Sequence, residues 1–370
     1  MRLIALLACF LCLSAAATAQ DVHYTLHDYH PLWLNPAQTG GYSGSLRVGG
    51  IFRGQWEGLS AIRSPSAFAD APIIKGFRKY DWIGAGASLV TDRAGSGNQT
   101  IKQSFFGVSA SYHLALDNKR RNVVTLGAQY GSTSFGFETE GNPVQQLNID
   151  AELGGDGQEN QSEFEPEMGG NMPGNRNNNS ASYTDINAGL MLRSVIDPKK
   201  NNLLEVGVAM LHLNSPRFQS LFRTQQGTGM DTTMMTDPPE RAGSAERRRK
   251  PTIHLHGRLD LEINDKYRFQ PTAFLQNSNG NTSVSLQAWG ARNLKPDVDL
   301  RAGLGYRTGD AVKLMLGADI KQLRAALSYD FITLNGPFNV SQGAFELGVN
   351  YIFNFYKKPT VVPTMLCPRI

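Results

Sequence analysis

Apolar and polar residues alternate along much of the chain with a period of two. In the segment 344–356, Phe345 and Leu347 fall on one face of an extended strand, while Glu346 and Asn350 fall on the other. The same alternation recurs at 203–213, 251–264 and 297–308. On a helix this spacing would scatter the apolar side chains around the whole circumference, so the pattern predicts β-strands.

The alternating pattern predicts about fourteen strands in all, at 45–56, 66–74, 80–92, 101–116, 122–135, 183–195, 202–213, 251–264, 267–277, 281–293, 297–308, 312–320, 323–333 and 344–356. Strands of soluble sheets usually have about 5–6 residues, whereas a strand needs roughly 9–11 to cross a bilayer, and many of these reach that length. The sequence therefore predicts an all-β fold, a single transmembrane antiparallel up-and-down β-barrel. An even number of strands fits such closure.

The lengths of the predicted connections sort by parity. Connections after odd-numbered strands are long, and two of them, 136–182 and 214–250, exceed the rest. Connections after even-numbered strands are short turns rich in Lys and Arg. In an outer-membrane barrel, long loops face outside and short turns face the periplasm. A soluble β-sandwich also alternates apolar and polar positions, but it predicts shorter strands and no sorting by parity.

The two faces of the predicted strands have different roles in a barrel surrounded by lipid, where the polar face lines the lumen. The predicted lumen contains both signs of charge: Arg258, Arg268, Arg301, Arg307, Lys313, Glu205, Asp260, Glu262, Asp299, Asp319 and Glu346. We expect cross-strand ion pairs rather than a charge-selective pore. Seven aromatic residues are expected at the membrane interfaces or in plain barrel packing: Tyr24, Trp33, Trp56, Tyr80, Trp82, Tyr351 and Tyr356.

Composition and the N-terminus narrow the class of protein further. A net charge of +4 over 370 residues is weak, so nucleic acid is not an expected partner. Residues 1–19 combine one positive charge, a short apolar run and a small-residue end, which predicts a signal peptide removed after Ala19. Of the three cysteines only Cys367 would remain after this cleavage, so no internal disulfide is expected.

The two longest connections differ in charge. Segment 136–182 has nine acidic side chains, a single arginine and too few apolar residues to build a core of its own. Segment 214–250 ends in Arg247-Arg248-Arg249-Lys250. That cluster could bind anionic lipopolysaccharide, contact the acidic loop, or be the solvated start of a strand.

The sequence contains no motif that specifies catalysis or a cofactor. His254 and His256 share one strand face, as two metal ligands would, but no third ligand is specified, and lumenal histidines need only hydrogen bonds. No phosphate-binding loop, dinucleotide fingerprint or nucleophile elbow is found. We therefore expect no cofactor, no metal and no enzymatic activity. An outer-membrane hydrolase is a further alternative, which would require Ser, His and Asp clustered at one rim.

Motifs at both ends of the chain are more specific. Near the start stands Asn35-Pro36-Ala37, followed by Gly40-Gly41, and the first predicted strand contains Arg53-Gly54-Gln55-Trp56. The chain ends in Cys367-Pro368-Arg369-Ile370. These motifs resemble the PorP/SprF family of outer-membrane proteins of the Bacteroidota. The residues that match, as structural or partner-contacting positions, are Asn35, Pro36, Ala37, Gly40, Arg53, Gln55, Trp56, Cys367, Pro368 and Arg369.

The resemblance implies a non-enzymatic outer-membrane barrel associated with type IX secretion and, in some members, with gliding motility. Its implied partners are membrane lipid, the secretion machinery and a secreted surface protein such as an adhesin, whose export or anchoring the barrel assists. Two features depart from the family. Gln38-Thr39 stands where the family often has an aromatic or a small residue before glycine, and the loops 136–182 and 214–250 are enlarged. An outer-membrane channel for a small solute is the alternative function.

The expected organisation places a signal peptide at 1–19, a lead-in segment at 20–44, the barrel at 45–356 and a tail at 357–370. Asn35 precedes a proline and is therefore restricted to extended or turn conformations, while Gly40 and Gly41 permit a sharp bend into the first strand. We expect the lead-in segment to lie in the periplasm or in the lumen, where it would lock the first strand and touch a partner. The alternative is a simple N-terminal lead-in.

Overall fold

A computed structural model describes residues 22–55, 62–76, 78, 80–95, 99–139, 180–200, 202–219, 246–278, 280–309, 311–332 and 343–355. These residues form sixteen strands: β1 (Leu46–Gln55), β2 (Ile62–Lys75), β3 (Trp82–Ala94), β4 (Gln99–Ala115), β5 (Asn122–Thr139), β6 (Ser180–Asp197), β7 (Asn202–Leu211), β8 (Arg217–Gln219), β9 (Glu246–Arg248), β10 (Thr252–Asn264), β11 (Tyr267–Ser278), β12 (Asn281–Lys295), β13 (Val298–Arg307), β14 (Ala311–Ile320), β15 (Leu323–Ile332) and β16 (Ala344–Phe353).

Fourteen of these strands close into one antiparallel barrel, in which each strand pairs with the next barrel strand along the chain, so that β7 pairs with β10, and β1 pairs with β16. The closing register matches Leu46 to Phe353 and Arg53 to Glu346. Every strand predicted from the alternating pattern overlaps one strand of this barrel. The predicted fold is therefore confirmed, including β2, which is longer than expected.

The two remaining strands, β8 and β9, pair with each other outside the barrel. They lie within the connection 214–250, where the sequence pattern predicted no strand. Most of both long connections, 140–179 and 220–245, lies outside the described residues. The basic cluster Arg247–Lys250 begins within β9, and the backbone N–H of Arg249 donates to the carbonyl of Pro216 at 3.0 Å.

The barrel is apolar outside and polar inside. Large apolar side chains on the outer face, such as Phe106, Leu304 and Phe345, are exposed, whereas Lys313 and Glu346 on the inner face are fully buried. This distribution inverts that of a soluble protein, and lipid on the outside accounts for it. The assignment of faces made from the sequence is confirmed.

Three short helical turns precede β1, and proline begins two of them. They are a 3-10 turn (His27–Tyr29), a single α-helical turn α1 (Pro31–Leu34) and a second 3-10 turn (Pro36–Gln38). Proline suits a first helical position, because the N–H that it lacks would have no partner within the helix. Among the described residues no helix is long and apolar enough to cross a membrane.

Candidate functional site: the lumen and its plug

Residues 22–42, which we call the plug, lie inside the barrel. Near the start of β1 the hydroxyl of Tyr42 donates to the carbonyl of Asp70 at 2.6 Å. At the other extreme, Val22 and His23 lie beside Gln55, where β1 ends. The plug thus runs along the lumen from the end with the short turns to the end with the long connections. This places the described part of the lead-in segment in the lumen.

A pair of carboxylates binds the first part of the plug. Glu346 on β16 accepts hydrogen bonds from the backbone N–H groups of Thr25 and Leu26, both at 2.8 Å. The Thr25 hydroxyl donates to Asp330 on β15 at 2.7 Å. Arg53 on β1 forms ion pairs with both carboxylates. The backbone of the plug and the first strand are thereby joined through one buried network.

Asp28 anchors the next turn of the plug through a buried ion pair. Its carboxylate lies 2.7 Å from a guanidinium nitrogen of Arg324 on β15. The same guanidinium lies over the Tyr29 ring, 4.6 Å from its centroid. A cation that contacts both a carboxylate and an aromatic face fixes this turn in position.

Asn35 joins the plug to three neighbouring strands. Its side-chain nitrogen donates to the carbonyls of Leu190 on β6, at 3.2 Å, and Val208 on β7, at 3.3 Å, and lies 3.1 Å from Nε2 of His256 on β10. Its side-chain oxygen accepts from the N–H of Ala37 at 2.9 Å and so caps the second 3-10 turn. A carboxylate could not donate these bonds, so an amide is required at this position.

The middle of the plug packs against inward-facing glycines that we call the glycine surface: Gly84, Gly127, Gly189 and Gly207. A Cβ added at Gly127 would lie 2.3 Å from the backbone nitrogen of Ala37, and one at Gly189 would lie 1.9 Å from the Asn35 side-chain oxygen. Pro36 and Ala37 therefore approach the wall as closely as backbone allows. Any larger residue at these wall positions would have to displace the plug.

Gly40 makes the bend that returns the chain to β1. Its φ of +66° lies in the left-handed region that favours glycine, and an added Cβ would lie 2.6 Å from the Cα of Gly84. Its backbone N–H donates to the carboxylate of Asp70 at 2.6 Å. The Asp70 carboxylate also forms an ion pair with Arg47, whose guanidinium donates one hydrogen bond to each carboxylate oxygen, at 2.9 and 2.8 Å.

Trp82 and His113 hold the carbonyls on the other side of the same bend. The indole N–H of Trp82 donates to the carbonyl of Gly40 at 2.9 Å, and His113 Nε2 lies 2.8 Å from the carbonyl of Thr39. The two rings stack with their centroids 4.4 Å apart. Of the two positions expected for Trp82, barrel packing is found and the interfacial one is therefore wrong. It is also wrong for Tyr24 and Trp33, which are buried in the lumen.

Charges on the barrel wall pair across strands, as the sequence predicted. The Glu205 carboxylate forms ion pairs with guanidinium nitrogens of Arg193, at 3.0 Å, and Arg258, at 3.3 Å. Arg301 lies 3.7 Å from Asp319, and Arg268 forms an ion pair with Asp299. Because opposite charges neutralise each other around the lumen, the described wall has no long stretch of one sign.

A cavity of about 440 Å³ lies where the plug ends, at the end of the barrel with the long connections. Its polar lining includes His23, Arg53, Gln55, Asp92 and Arg307. Gln55 accepts from Arg53 at 3.2 Å, so two of the family-motif residues lie together in this wall.

The side chains of His254 and His256 face the plug. His254 Nδ1 lies 3.0 Å from the carbonyl of Leu34, and His256 lies beside Asn35. In the described part of the chain, no three or more His, Cys, Asp or Glu side chains are grouped as metal ligands. Hydrogen bonding to the plug accounts for both histidines.

The family-motif residues fall into three groups. Asn35, Pro36, Ala37 and Gly40 form the middle and the bend of the plug, and Arg53 and Gln55 lie on β1 at the other end of the lumen. Trp56, Cys367, Pro368 and Arg369 lie outside the described residues. Sequence reasoning missed Asp70, Asp330 and the glycine surface. Their signal was an acidic residue or a glycine at an inward-facing position of an alternating strand.

Comparison with known proteins identifies a family. A family model described as "Type IX secretion system membrane protein PorP/SprF" matches residues 16–351. The match includes the Asn35-Pro36-Ala37 motif and nearly the whole barrel, but not the C-terminal Cys-Pro-Arg motif. No curated protein matches the chain.

Several solved outer-membrane barrels resemble the chain in structure. The toluene transporter TbuX of Ralstonia pickettii is 10% identical with a TM-score of 0.48, over 87% of this chain and 93% of the other. The P. putida toluene transporter TodX is 12% identical with a TM-score of 0.45, over 87% and 93%. The translocator domain of the autotransporter NalP from Neisseria meningitidis is 12% identical with a TM-score of 0.41, over 89% and 96%. Similarities this weak carry no argument about what the chain binds or transports.

Proposed function

The chain belongs to the PorP/SprF family of type IX secretion system membrane proteins, and from this premise we propose that it is a non-enzymatic outer-membrane barrel that assists the export or surface anchoring of a secreted protein such as an adhesin. Its partners in this proposal are outer-membrane lipid, the secretion machinery and that secreted protein. A role in gliding motility belongs to the same proposal.

The observation that supports this function best is the plug. Hydrogen bonds and ion pairs join it to β1, β2, β4, β6, β7, β10, β15 and β16, and the glycine surface contacts its backbone directly. A channel for a small solute needs a continuous polar path, whereas this lumen is occupied by the chain itself. A filled barrel suits a protein that holds a partner at one end more than one that conducts a solute.

The end of the barrel with the long connections is the proposed side for the secreted partner. The cavity beside Val22 and His23 opens there, and the acidic segment 136–182 begins at the same end. By the rule for outer-membrane barrels this end faces outside. A partner held here would remain at the cell surface.

Deleting the gene and following one adhesin in cell fractions would test the proposal. An export role predicts that the adhesin accumulates in the periplasm, and an anchoring role predicts that it is released into the medium. Gliding would be measured in the same strains. Unchanged adhesin at the surface of the deletion strain, measured by protease treatment of whole cells, would refute the proposed function.

Planar-bilayer recording would test the alternative. The purified protein should give no steady conductance if its plug stays in place. A steady, solute-selective current from the intact protein would favour the solute channel and overturn the proposed role.

A further inference from the structure

The cavity of about 440 Å³ at the end with the long connections has the start of the plug as its floor. Val22 and His23 of the plug line it, and residues of β1–β3 and of β11–β13 supply two walls. Three other strands, β14, β15 and β16, separate these two walls around the barrel. The volume lies within the range of roughly 300–1,000 Å³ that small-molecule sites have. A molecule held in this cavity would rest on the plug.

The arginines in the walls of the cavity already have partners of opposite charge inside the barrel. Arg53 forms ion pairs with Asp330 and Glu346, and Arg307 lies 3.4 Å from Asp330. A bound anion would have to compete with these buried carboxylates for the same guanidinium groups. A ligand without net charge therefore fits the cavity better than an anion does.

Asp92 on β3 gives the first wall a strong acceptor. Its Oδ1 accepts from the hydroxyl of Ser64 on β2 at 2.6 Å, which leaves Oδ2 to accept from a ligand. Both residues line the cavity. Hydrogen bonds from a hydroxyl to an ionised carboxylate are short and strong. This wall therefore favours a ligand that has hydroxyl groups.

Two amides that line the cavity have donors to offer. The side-chain oxygen of Gln55 accepts from Arg53 at 3.2 Å, and that of Gln276 lies 2.9 Å from Nδ1 of His23. These contacts use the amide oxygens, so each NH2 group is left to donate to a ligand. Gln55 on β1 and Gln276 on β11 belong to different walls, so donors face the cavity from both.

Most of the remaining lining is hydroxyl groups. In the described part of the chain they are Ser278, Thr282, Ser283 and Thr308, and the apolar side chains are those of Val22 and Ile62. Proteins that bind an extended peptide usually offer a free sheet edge and pockets for its side chains. Here the walls are paired strands of a closed barrel, and their side chains are mainly polar. The lining therefore suits a small hydrophilic molecule better than a peptide.

We propose that this cavity binds an uncharged saccharide of one or two sugar units, whose ring hydroxyls donate to Asp92 and accept from Gln55 and Gln276. Each hydroxyl of a sugar both donates and accepts, so neighbouring hydroxyls match a wall in which an acceptor lies beside donors. The cavity opens at the end that faces outside. Its saccharide is therefore either free in the medium or part of a surface polysaccharide. The site requires no secretion partner, so this inference does not depend on the proposed function.

Saturation-transfer difference NMR with the purified full-length protein, in a detergent without sugar groups, would test the proposal. The probes are maltose, lactose and mannobiose, each titrated to about 10 mM, because a few hydrogen bonds in an open site give a Kd of roughly 1 mM. At least one probe should bind. Asp92→Asn should bind it about tenfold more weakly, since a charged acceptor forms the stronger hydrogen bond.

Asp260→Asn is the matched control. Its carboxylate also faces the lumen, 3.5 Å from Arg258, but lies toward the short-turn end, so this variant should bind like the wild type. Should Asp92→Asn not fold, Ser283→Phe provides a second variant. It places a ring in the cavity and should abolish binding of all three probes.

Two further probes test the class of ligand. Galacturonic acid adds a carboxylate to a sugar, and tetraglycine offers a peptide backbone; both should bind more weakly than the best neutral sugar. The proposal is wrong if no neutral probe binds, if the variants bind like the wild type, or if either further probe binds most tightly.

Polysaccharide released from the lipopolysaccharide of native cells distinguishes the two sources of the saccharide. Tighter binding of the polysaccharide than of the disaccharides, at equal sugar concentration, would assign the site to a surface polysaccharide. Equal or weaker binding would assign it to a free saccharide.

Discussion

The carboxylate of Glu346, on the last strand of the barrel, accepts a hydrogen bond of 2.8 Å from the backbone N–H of Thr25, which precedes the first strand. The same carboxylate is paired with Arg53 on β1. Glu346, on the last strand, therefore contacts both the plug and the first strand. The pairing of the first and last strands closes the barrel. Closure of the barrel and placement of the plug depend on the same side chain.

Glu346→Gln should destabilise the protein by about 3 kcal/mol, because it leaves the buried Arg53 guanidinium with one carboxylate, Asp330, instead of two and turns an amide N–H toward other donors. The thermal midpoint of unfolding in detergent measures this change. Glu262→Gln, at the half-buried end of β10, is the matched control and should change the midpoint little. The double variant with Arg53→Gln should cost less than the sum of the two single changes. Additive effects would show that the two residues do not interact.

At Asn35 the structure predicts that the amide matters more than the size of the side chain. Asn35→Asp turns a carboxylate toward the carbonyls of Leu190 and Val208, which are both acceptors, so it should loosen the plug more than Asn35→Ala does. The rate at which a protease cleaves the plug in the folded barrel reports this order. Asn277→Ala, whose side chain donates to Thr282, should leave the rate unchanged. A slower cleavage of Asn35→Asp than of Asn35→Ala would contradict this account.

Period-two alternation was sufficient to predict the barrel, because lipid imposes the same demand on every strand. The 251–264 and 344–356 patterns each identify a strand and its outward face. The plug has no such period. Its path depends on contacts such as Asn35 with three strands and Thr25 with Glu346, between residues far apart in sequence. The position of Trp82 at a strand end is compatible with either the membrane interface or barrel packing, and what holds it inward is its hydrogen bond to the carbonyl of Gly40.

The turn between β4 and β5 should make stability depend on pH. Partial burial of Asp117 raises its pKa, but backbone N–H donors from Arg121, Asn122 and Lys119 outweigh this effect, so the pKa is lowered overall. A carboxyl whose pKa is lower in the folded state stabilises the fold above its unfolded pKa of about 3.9, and this stabilisation is lost as the pH falls.

The expected result is a higher thermal midpoint for the wild type than for Asp117→Asn at pH 7, with a difference that shrinks toward pH 3. Asp265→Asn, in the turn between β10 and β11, serves as the control for a general effect of turn charge. A difference that stays constant between pH 7 and pH 3 would exclude the proposed role of the Asp117 carboxylate.

The glycine surface gives the most direct test of whether the plug closes the barrel. Gly127→Ala places a methyl group 2.3 Å from the backbone nitrogen of Ala37, and neither the strand nor the plug backbone can move easily to relieve it. Alanine is otherwise acceptable in a strand, so the barrel should still fold while the plug is displaced. Planar-bilayer recordings should then show steady conductance that the wild type lacks.

Gly290→Ala is the matched control, because that glycine is exposed and its nearest neighbour to an added Cβ is 3.8 Å away. It should remain closed like the wild type. The change of electrophoretic mobility on heating shows whether Gly127→Ala has folded into a barrel. If the variant folds like the wild type by this measure and still gives no conductance, the plug is not what blocks the lumen. If Gly290→Ala conducts as well, the opening reflects general weakening of the wall. Conductance in Gly127→Ala alone would locate the block where Pro36 and Ala37 meet β5.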